Sequence, residues 1–239
     1  MSVIPSPISS TTKEPSEPDQ LVDQSTLRDR SVFQVCKRSC DVALALVMLV
    51  LLLPLWLLVA LLIRIDSPGP VLFVIRAVGQ NGREFLLYKF RTMHPLQRPD
   101  AERADVVGNL LHRAPTTFID GKPVYKTALV DATRITRIGR FLRQTSLDEF
   151  PQLWNILRGD LSFVGPRPSL PDEVALYKEW QKQRLLVPQG LTGLYQVTAR
   201  NRVPIEEMIR IDLDYIRNRS FWLDLKILCK TPYAMLSGL

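Results

Sequence analysis

The stretch richest in reactive side chains is TSLDEFPQLWNILRGDLSFVGPRP, residues 145–168. Two adjacent acids, Asp148 and Glu149, follow Arg143 and precede Arg158 and Arg167. An acid pair ringed by arginines suits phosphoryl transfer, because guanidinium groups neutralise phosphate oxygens and a hard divalent cation such as Mg²⁺ bridges carboxylate and pyrophosphate. A carboxylate at a helix N-terminus is held ionised, which makes it available as a nucleophile or metal ligand. In Gly165-Pro166-Arg167-Pro168 two prolines fix the backbone around one arginine and limit the entropy lost on binding. The same residues also have a purely structural explanation. Ser146 and Glu149 fit a capping box, acids in a first helical turn complement the macrodipole, and Arg167 fits a surface salt bridge. The pattern alone leaves both explanations open.

The rest of the chain has to position these groups. It has 239 residues, 46% hydrophobic and 23% charged, with a net charge of +7. The average conceals an uncharged apolar run over residues 42–63, VALALVMLVLLLPLWLLVALLI, which excludes an ordinary soluble protein. At about 1.5 Å per residue this run reaches roughly 33 Å, enough to cross a bilayer. Pro54 near its middle and basic residues at both ends (Lys37 and Arg38, then Arg64) favour instead a bent helix that enters and leaves by one leaflet. Both paths remain open on physical grounds.

Residues 1–30 are rich in Ser, Thr, Pro and acids, without a hydrophobic period, and read as a disordered tail rather than a signal peptide. Residues 31–66 form a lead-in and membrane helix, and residues 67–239 a basic domain at the membrane surface. In that domain, residues 71–75 and 84–90 read as a β-hairpin around Gly79-Gln80-Asn81-Gly82. Residues 94–133 read as a long loop with one short helix. Helices follow over 136–143, 148–157 ending at Gly159, 171–186, 204–218 and 221–235. The last carries Phe221, Trp222, Leu225 and Leu228 on one face, as a helix at headgroup level would; core packing explains it equally. The fold class is α+β, mainly helical.

Cys36, Cys40 and Cys229 match no zinc spacing and read as reduced thiols. The two histidines, His94 and His112, support no triad or zinc site. Basic residues are interleaved with acids and no recognition motif is present, so nucleic acid is excluded as a partner. The basic surface suits anionic lipid or phosphorylated substrates.

KFRTM (89–93), the central block (145–168), GLTGLYQV (190–197) and IDLDYIRNRSFWLDLKIL (211–228) carry a resemblance. In order and wording they resemble the bacterial sugar transferases, the monotopic polyprenyl-phosphate phosphoglycosyl transferases, over about residues 34–231. The resemblance implies a single interfacial catalytic domain with a re-entrant, Pro-broken membrane helix, on the cytoplasmic face of the bacterial inner membrane. It implies transfer of a phosphosugar from a UDP-sugar to undecaprenyl phosphate, releasing UMP and initiating assembly of an exopolysaccharide, capsule or O-antigen type glycan. Asp148 matches the nucleophile that forms a covalent acyl phosphate, and Glu149 its partner, the two also serving as ligands to Mg²⁺ or Mn²⁺. Arg143, Arg167, Arg200, Lys89 and Arg91 match the phosphate-binding region, and Asp212 and Asp224 match further site acids. Later glycosyltransferases of the same pathway are candidate partners.

Longer family members carry spanning helices upstream, so this chain resembles the small catalytic core. It departs from the family in the hairpin strand, usually F-x-Q-x-R-x-G, where Ile75 and Ala77 hold the polar positions and Arg76 is displaced by one residue. A one-residue shift in a strand reverses the face, so no site role passes to Arg76. Leu53 replaces the serine common before the membrane proline, Pro188 sits one position early, and Ala199 replaces a glycine. The alternative, from a different class of protein, is a non-catalytic basic membrane scaffold that binds anionic lipid or a partner enzyme.

Overall fold

A computed structural model describes residue 22, residues 31–94, the short segments 117–119 and 122–124, and residues 134–199 and 202–236. The described chain is mostly helical with three two-stranded sheets. Most of the expected tail, the short helix expected within 94–133, and Arg200 lie outside the described residues. Val22 is described, and it is buried in the core with its N–H donating to Gln183 Oε1.

The first helix, α1 (Ser31–Asp66), contains Pro54. The proline removes one backbone bond, yet the expected break does not interrupt the helix. One stripe of α1, Asp41, Ala45, Met48, Leu52, Trp56, Val59 and Ile63, repeats every three or four residues and packs on the rest of the protein. Its other faces leave Val47, Val50, Leu51, Leu57, Leu58, Leu61 and Ile65 exposed. Near its start, Lys37 pairs with Asp224 at 2.6 Å. Arg38 donates to the carbonyls of Ile156 and Leu157, and Asp41 accepts from the Phe163 N–H. At its end, Asp66 accepts from the Ile138 N–H, and Arg64 donates to the Gly69 carbonyl. Both ends of the helix are thus tied to the same body.

Strands β1 (Leu72–Val78) and β2 (Glu84–Phe90) form the expected antiparallel hairpin. Its turn uses left-handed conformations at Asn81 and Gly82. Ala77, Phe85 and Leu87 face the core, whereas Val74, Arg76 and Leu86 are exposed. Arg76 therefore lies on the face opposite Ile75 and Ala77, as the one-residue displacement requires. Strands β3 (Thr117–Ile119) and β4 (Lys122–Val124) pair antiparallel inside the segment read as loop.

Helix α2 (Arg137–Thr145) starts at Thr136, whose Oγ1 accepts from the Gly139 N–H. A 3₁₀ turn (Leu147–Glu149) leads to α3 (Gln152–Arg158), which ends at Gly159 in the left-handed region as the sequence indicated. The span 171–186, read as one helix, is instead α4 (Pro171–Ala175), α5 (Glu179–Lys182) and a 3₁₀ turn (Gln183–Leu186). Gln181 accepts from the Lys178 N–H, so a second cap restarts the helix within the span. Strands β5 (Leu161–Val164) and β6 (Gln189–Thr192) pair in parallel, and neither was read from sequence. All four β5 residues are buried, which removes the alternation that marks a strand. Short α6 (Leu194–Thr198) precedes α7 (Ile205–Asn218) and α8 (Phe221–Leu236), close to the boundaries read for the last two. Helix α8 buries Ile227 and Ala234 and leaves Phe221, Trp222, Leu225 and Tyr233 exposed.

Gly165 and Gly190 let β5 and β6 approach where the Pro166 carbonyl accepts from the Gly190 N–H at 2.8 Å. A methyl group at residue 190 would overlap the Gly165 nitrogen and the Thr192 carbonyl. Gly190→Ala is therefore expected to destabilise the protein by about 1–3 kcal/mol, lowering the thermal midpoint by roughly 2–12 °C in a melt of the purified chain.

Candidate active site

The turn between α2 and α3 reverses at Ser146, a non-glycine residue with φ 55°, and presents Asp148 and Glu149 on the following 3₁₀ turn. Ser146 makes no side-chain cap, so the capping-box explanation of the acid pair is not realised. Glu149 is instead paired with Lys89 of β2, Nζ to Oε1 at 2.6 Å, and both side chains are half-buried. Arg143 comes from the last turn of α2, where its guanidinium donates to the Met93 sulfur at 3.4 Å.

Asp148 has its carboxyl pushed up from 3.8 to about 6. Burial is the main cause and the neighbouring Glu149 charge adds to it, whereas Lys89, Arg143 and a backbone hydrogen bond oppose the shift. This corrects the expectation that a helix N-terminus holds the acid ionised. A single 3₁₀ turn supplies little dipole against loss of water and a like charge next door. Asp148, Glu149, Lys89 and Arg143 therefore form one interacting group.

The other expected site residues lie in different surroundings. Arg91 is buried, and its guanidinium donates to the Ser67 carbonyl and hydroxyl and the Pro68 carbonyl, holding the loop that leaves α1. Asp212 is buried against Arg184 at 2.6 Å. Burial raises the Asp212 carboxyl pKa, while Arg184 and Arg167 oppose that rise. Asp224 joins Lys37 and accepts from the Tyr215 hydroxyl at 2.8 Å, so it fastens α8 and α7 to the start of α1. Arg167 lies on the loop after β5, where its charge acts on Glu173 and Asp212. Glu173 and Arg184 went unread in the sequence. Among the described residues no group of three or more acids, histidines or cysteines is placed to hold a metal ion by itself.

The folded Asp148 carboxyl binds its proton more tightly than the unfolded one does. Stability is therefore lost as pH rises from about 4 to about 6, and it stays lower above that range. Asp148→Asn removes this cost. The variant should melt roughly 4–8 °C above the parent near pH 8, on the order of 2 kcal/mol, and converge with it near pH 4 in paired thermal melts.

Comparison with known proteins shows the family. The bacterial sugar transferase family matches residues 32–238. The exopolysaccharide production protein ExoY of Sinorhizobium fredii is 38% identical over 215 residues, covering 90% of this chain and 91% of that protein. The galactosyl transferase CpsE of Streptococcus agalactiae is 39% identical over 205 residues, covering 85% of this chain but 43% of CpsE. The undecaprenyl-phosphate galactose phosphotransferase of Salmonella typhimurium is 36% identical over 213 residues, covering 89% of this chain and 43% of that relative. The chain thus spans nearly all of the rhizobial relative and less than half of the other two. With an acid pair on one turn, flanked by Lys89 from β2 and Arg143 from α2, and with this match along almost the whole chain, the protein belongs to the bacterial sugar transferase family and is an enzyme of the transferase class.

Proposed function

We propose that this protein transfers a phosphosugar from a UDP-sugar to a polyprenyl phosphate, releasing UMP, as the first step of a surface glycan such as an exopolysaccharide. The observation that carries the reading is the placement of Asp148 and Glu149 on one turn, with Lys89 of β2 paired to Glu149 at 2.6 Å and Arg143 in the preceding helical turn, in a chain of this family; the Asp148 carboxyl is pushed up to about 6 there. At neutral pH such a group is mostly ionised, yet more basic than an ordinary aspartate, which suits a carboxylate nucleophile.

In the first step an Asp148 carboxylate oxygen attacks the sugar-bearing phosphorus. The bond from that phosphorus to the bridging oxygen breaks, UMP leaves with the electron pair, and an acyl phosphate remains on Asp148. In the second step a phosphate oxygen of the polyprenyl phosphate attacks the same phosphorus. The acyl phosphate bond breaks, the lipid diphosphosugar departs, and Asp148 is a carboxylate again. Arg143 and Lys89 supply positive charge beside the reacting phosphates, and Arg167 offers a further cation on a proline-fixed loop. Glu149, already paired with Lys89, holds that lysine at the site and accepts a proton from an incoming acceptor phosphate.

The donor set suits Mg²⁺ or Mn²⁺ held by Asp148 and Glu149. Mg²⁺ is commonly held by one or two carboxylates with water and substrate phosphate as its other ligands, and this adjacent pair could serve as those carboxylates. When bound, the ion supplies charge neutralisation on the pyrophosphate.

The anchoring of α1 supports a monotopic placement at the cytoplasmic face. Its two ends are tied to one polar body, through Lys37 and Arg38 and through Asp66, while the helix surface between them is largely apolar. A straight crossing would put those ends on opposite sides of the bilayer, so their attachment to one body favours a monotopic placement over a crossing helix.

UMP release should be measured with UDP-glucose, UDP-galactose and UDP-N-acetylglucosamine, with undecaprenyl phosphate and Mg²⁺. One donor is expected to be turned over, and Asp148→Asn to lower that rate by about a thousandfold or more. The rate should rise with pH through about 6 as the carboxylate ionises. No release from any donor, or a variant within tenfold of the parent, favours the lipid-binding scaffold instead. In spheroplasts a membrane-impermeant maleimide is expected to miss both Cys36 and an introduced Arg76→Cys; labelling of one without the other contradicts the monotopic placement.

A further inference from the structure

The loop Gly165-Pro166-Arg167-Pro168 cannot make an ordinary backbone ladder, since two of its four residues lack an N–H. Its Gly165 N–H donates to the Thr192 carbonyl at 2.9 Å, and the rest of it is held through carbonyls. The Pro166 carbonyl accepts from the Gly190 N–H at 2.8 Å, and just after the loop the Ser169 carbonyl accepts from the Val78 N–H at 2.8 Å. Between them the Arg167 carbonyl accepts from the Arg184 guanidinium at 2.9 Å. The other anchors are backbone groups, and Arg184 is the side chain that holds the carbonyl of residue 167.

Arg184 is 1% exposed, and all five of its N–H donors are used. Nε and one Nη2 hydrogen go to Asp212 Oδ2, at 3.1 and 2.6 Å, and the other Nη2 hydrogen goes to the Arg167 carbonyl. Nη1 donates to the Ser169 and Tyr177 hydroxyls. Asp212, also 1% exposed, sets the plane of the guanidinium. A buried ion pair of this kind adds little stability over apolar residues of similar size, because both charges have lost their water. What it supplies is direction: a planar fork fixed at five points aims one donor at one carbonyl.

We propose that Arg184, oriented by Asp212, is a positioning residue that sets Arg167 for the donor diphosphate. This deepens the function proposed above and rests on it for the identity of the ligand. It also gives Asp212 a part in the site without contact with substrate.

The test uses the full chain carrying Arg184→Met together with Asp212→Leu, which removes the pair without leaving a buried charge. Two readouts are taken. In ligand-free protein, hydrogen exchange at the Arg167 and Ser169 amides is expected to quicken roughly tenfold or more while exchange in α7 and β2 stays as in the parent. With the UDP-sugar the parent turns over best, KM is expected to rise about tenfold or more with kcat within about threefold, and adding Arg167→Ala is expected to cause little further loss. Unchanged exchange in the loop overturns the clamp. Faster exchange with an unchanged KM, or full additivity with Arg167→Ala, overturns its service to the donor. If the double variant does not fold, Ser169→Ala with Tyr177→Phe removes only the two hydroxyls on Nη1. That variant should raise KM about threefold or more, and an unchanged KM overturns the proposal. A parent that releases no UMP contradicts the function proposed above, while the exchange result still decides the clamp.

Discussion

The seating of α1 on the rest of the protein by a single stripe is the constraint on which the other features depend. The helix is apolar around its whole circumference, yet only residues such as Ala45, Val59 and Ile63 are buried by protein. Toward its end that stripe meets Phe90 and Leu142, and Trp56 lies edge-on to Phe90. Phe90 follows Lys89 and Leu142 precedes Arg143 in the chain. The helix with the exposed apolar faces therefore also backs two of the cations grouped with Asp148. In the function proposed above, a site assembled against such a helix would stay near the bilayer surface, within reach of both a lipid phosphate and a water-soluble nucleotide sugar.

The site is arranged at a cost in stability. Burial and the Glu149 charge make the ionised Asp148 unfavourable, and Lys89 and Arg143 offset only part of this. An acid whose charge the fold disfavours is one that gains from a phosphorus centre or a cation. The surrounding structure is correspondingly firm. Arg91 fixes the loop leaving α1, Asp224 fastens α8 to α1, and Arg184 with Asp212 fixes the loop carrying Arg167. Of the acids matched by family resemblance, Asp212 and Asp224 are structural ion-pair partners, Asp212 of the Arg184 that holds the Arg167 carbonyl and Asp224 of Lys37.

Local patterns made much of this legible in the sequence. The hairpin follows from its Gly-bounded turn, α3 ends where Gly159 allows a left-handed residue, and Asp148 and Glu149 stood out because arginines surround them. The parallel pair β5 and β6 escaped notice because a fully buried strand has no alternation, and because its partner lies far along the chain. The broken span 171–186 has helix-forming residues throughout, and only the capping contact of Gln181 reveals the restart. Arg184 sits in QKQRLL, a stretch that reads as a solvated helix face, so nothing local marks it as buried. The direction of the Asp148 shift depends on burial by residues distant in sequence, which the N-terminal dipole argument did not weigh.

The central claim is that Asp148 itself carries the phosphosugar between donor and acceptor. Its most direct test is intact-mass spectrometry of the purified chain, incubated with its UDP-sugar and Mg²⁺ in the absence of lipid acceptor and quenched in acid. The account predicts one added phosphosugar, mapped to the peptide containing Asp148, lost on addition of undecaprenyl phosphate and absent from Asp148→Asn. An unmodified chain under conditions that support turnover, or an adduct on any other residue, would contradict it.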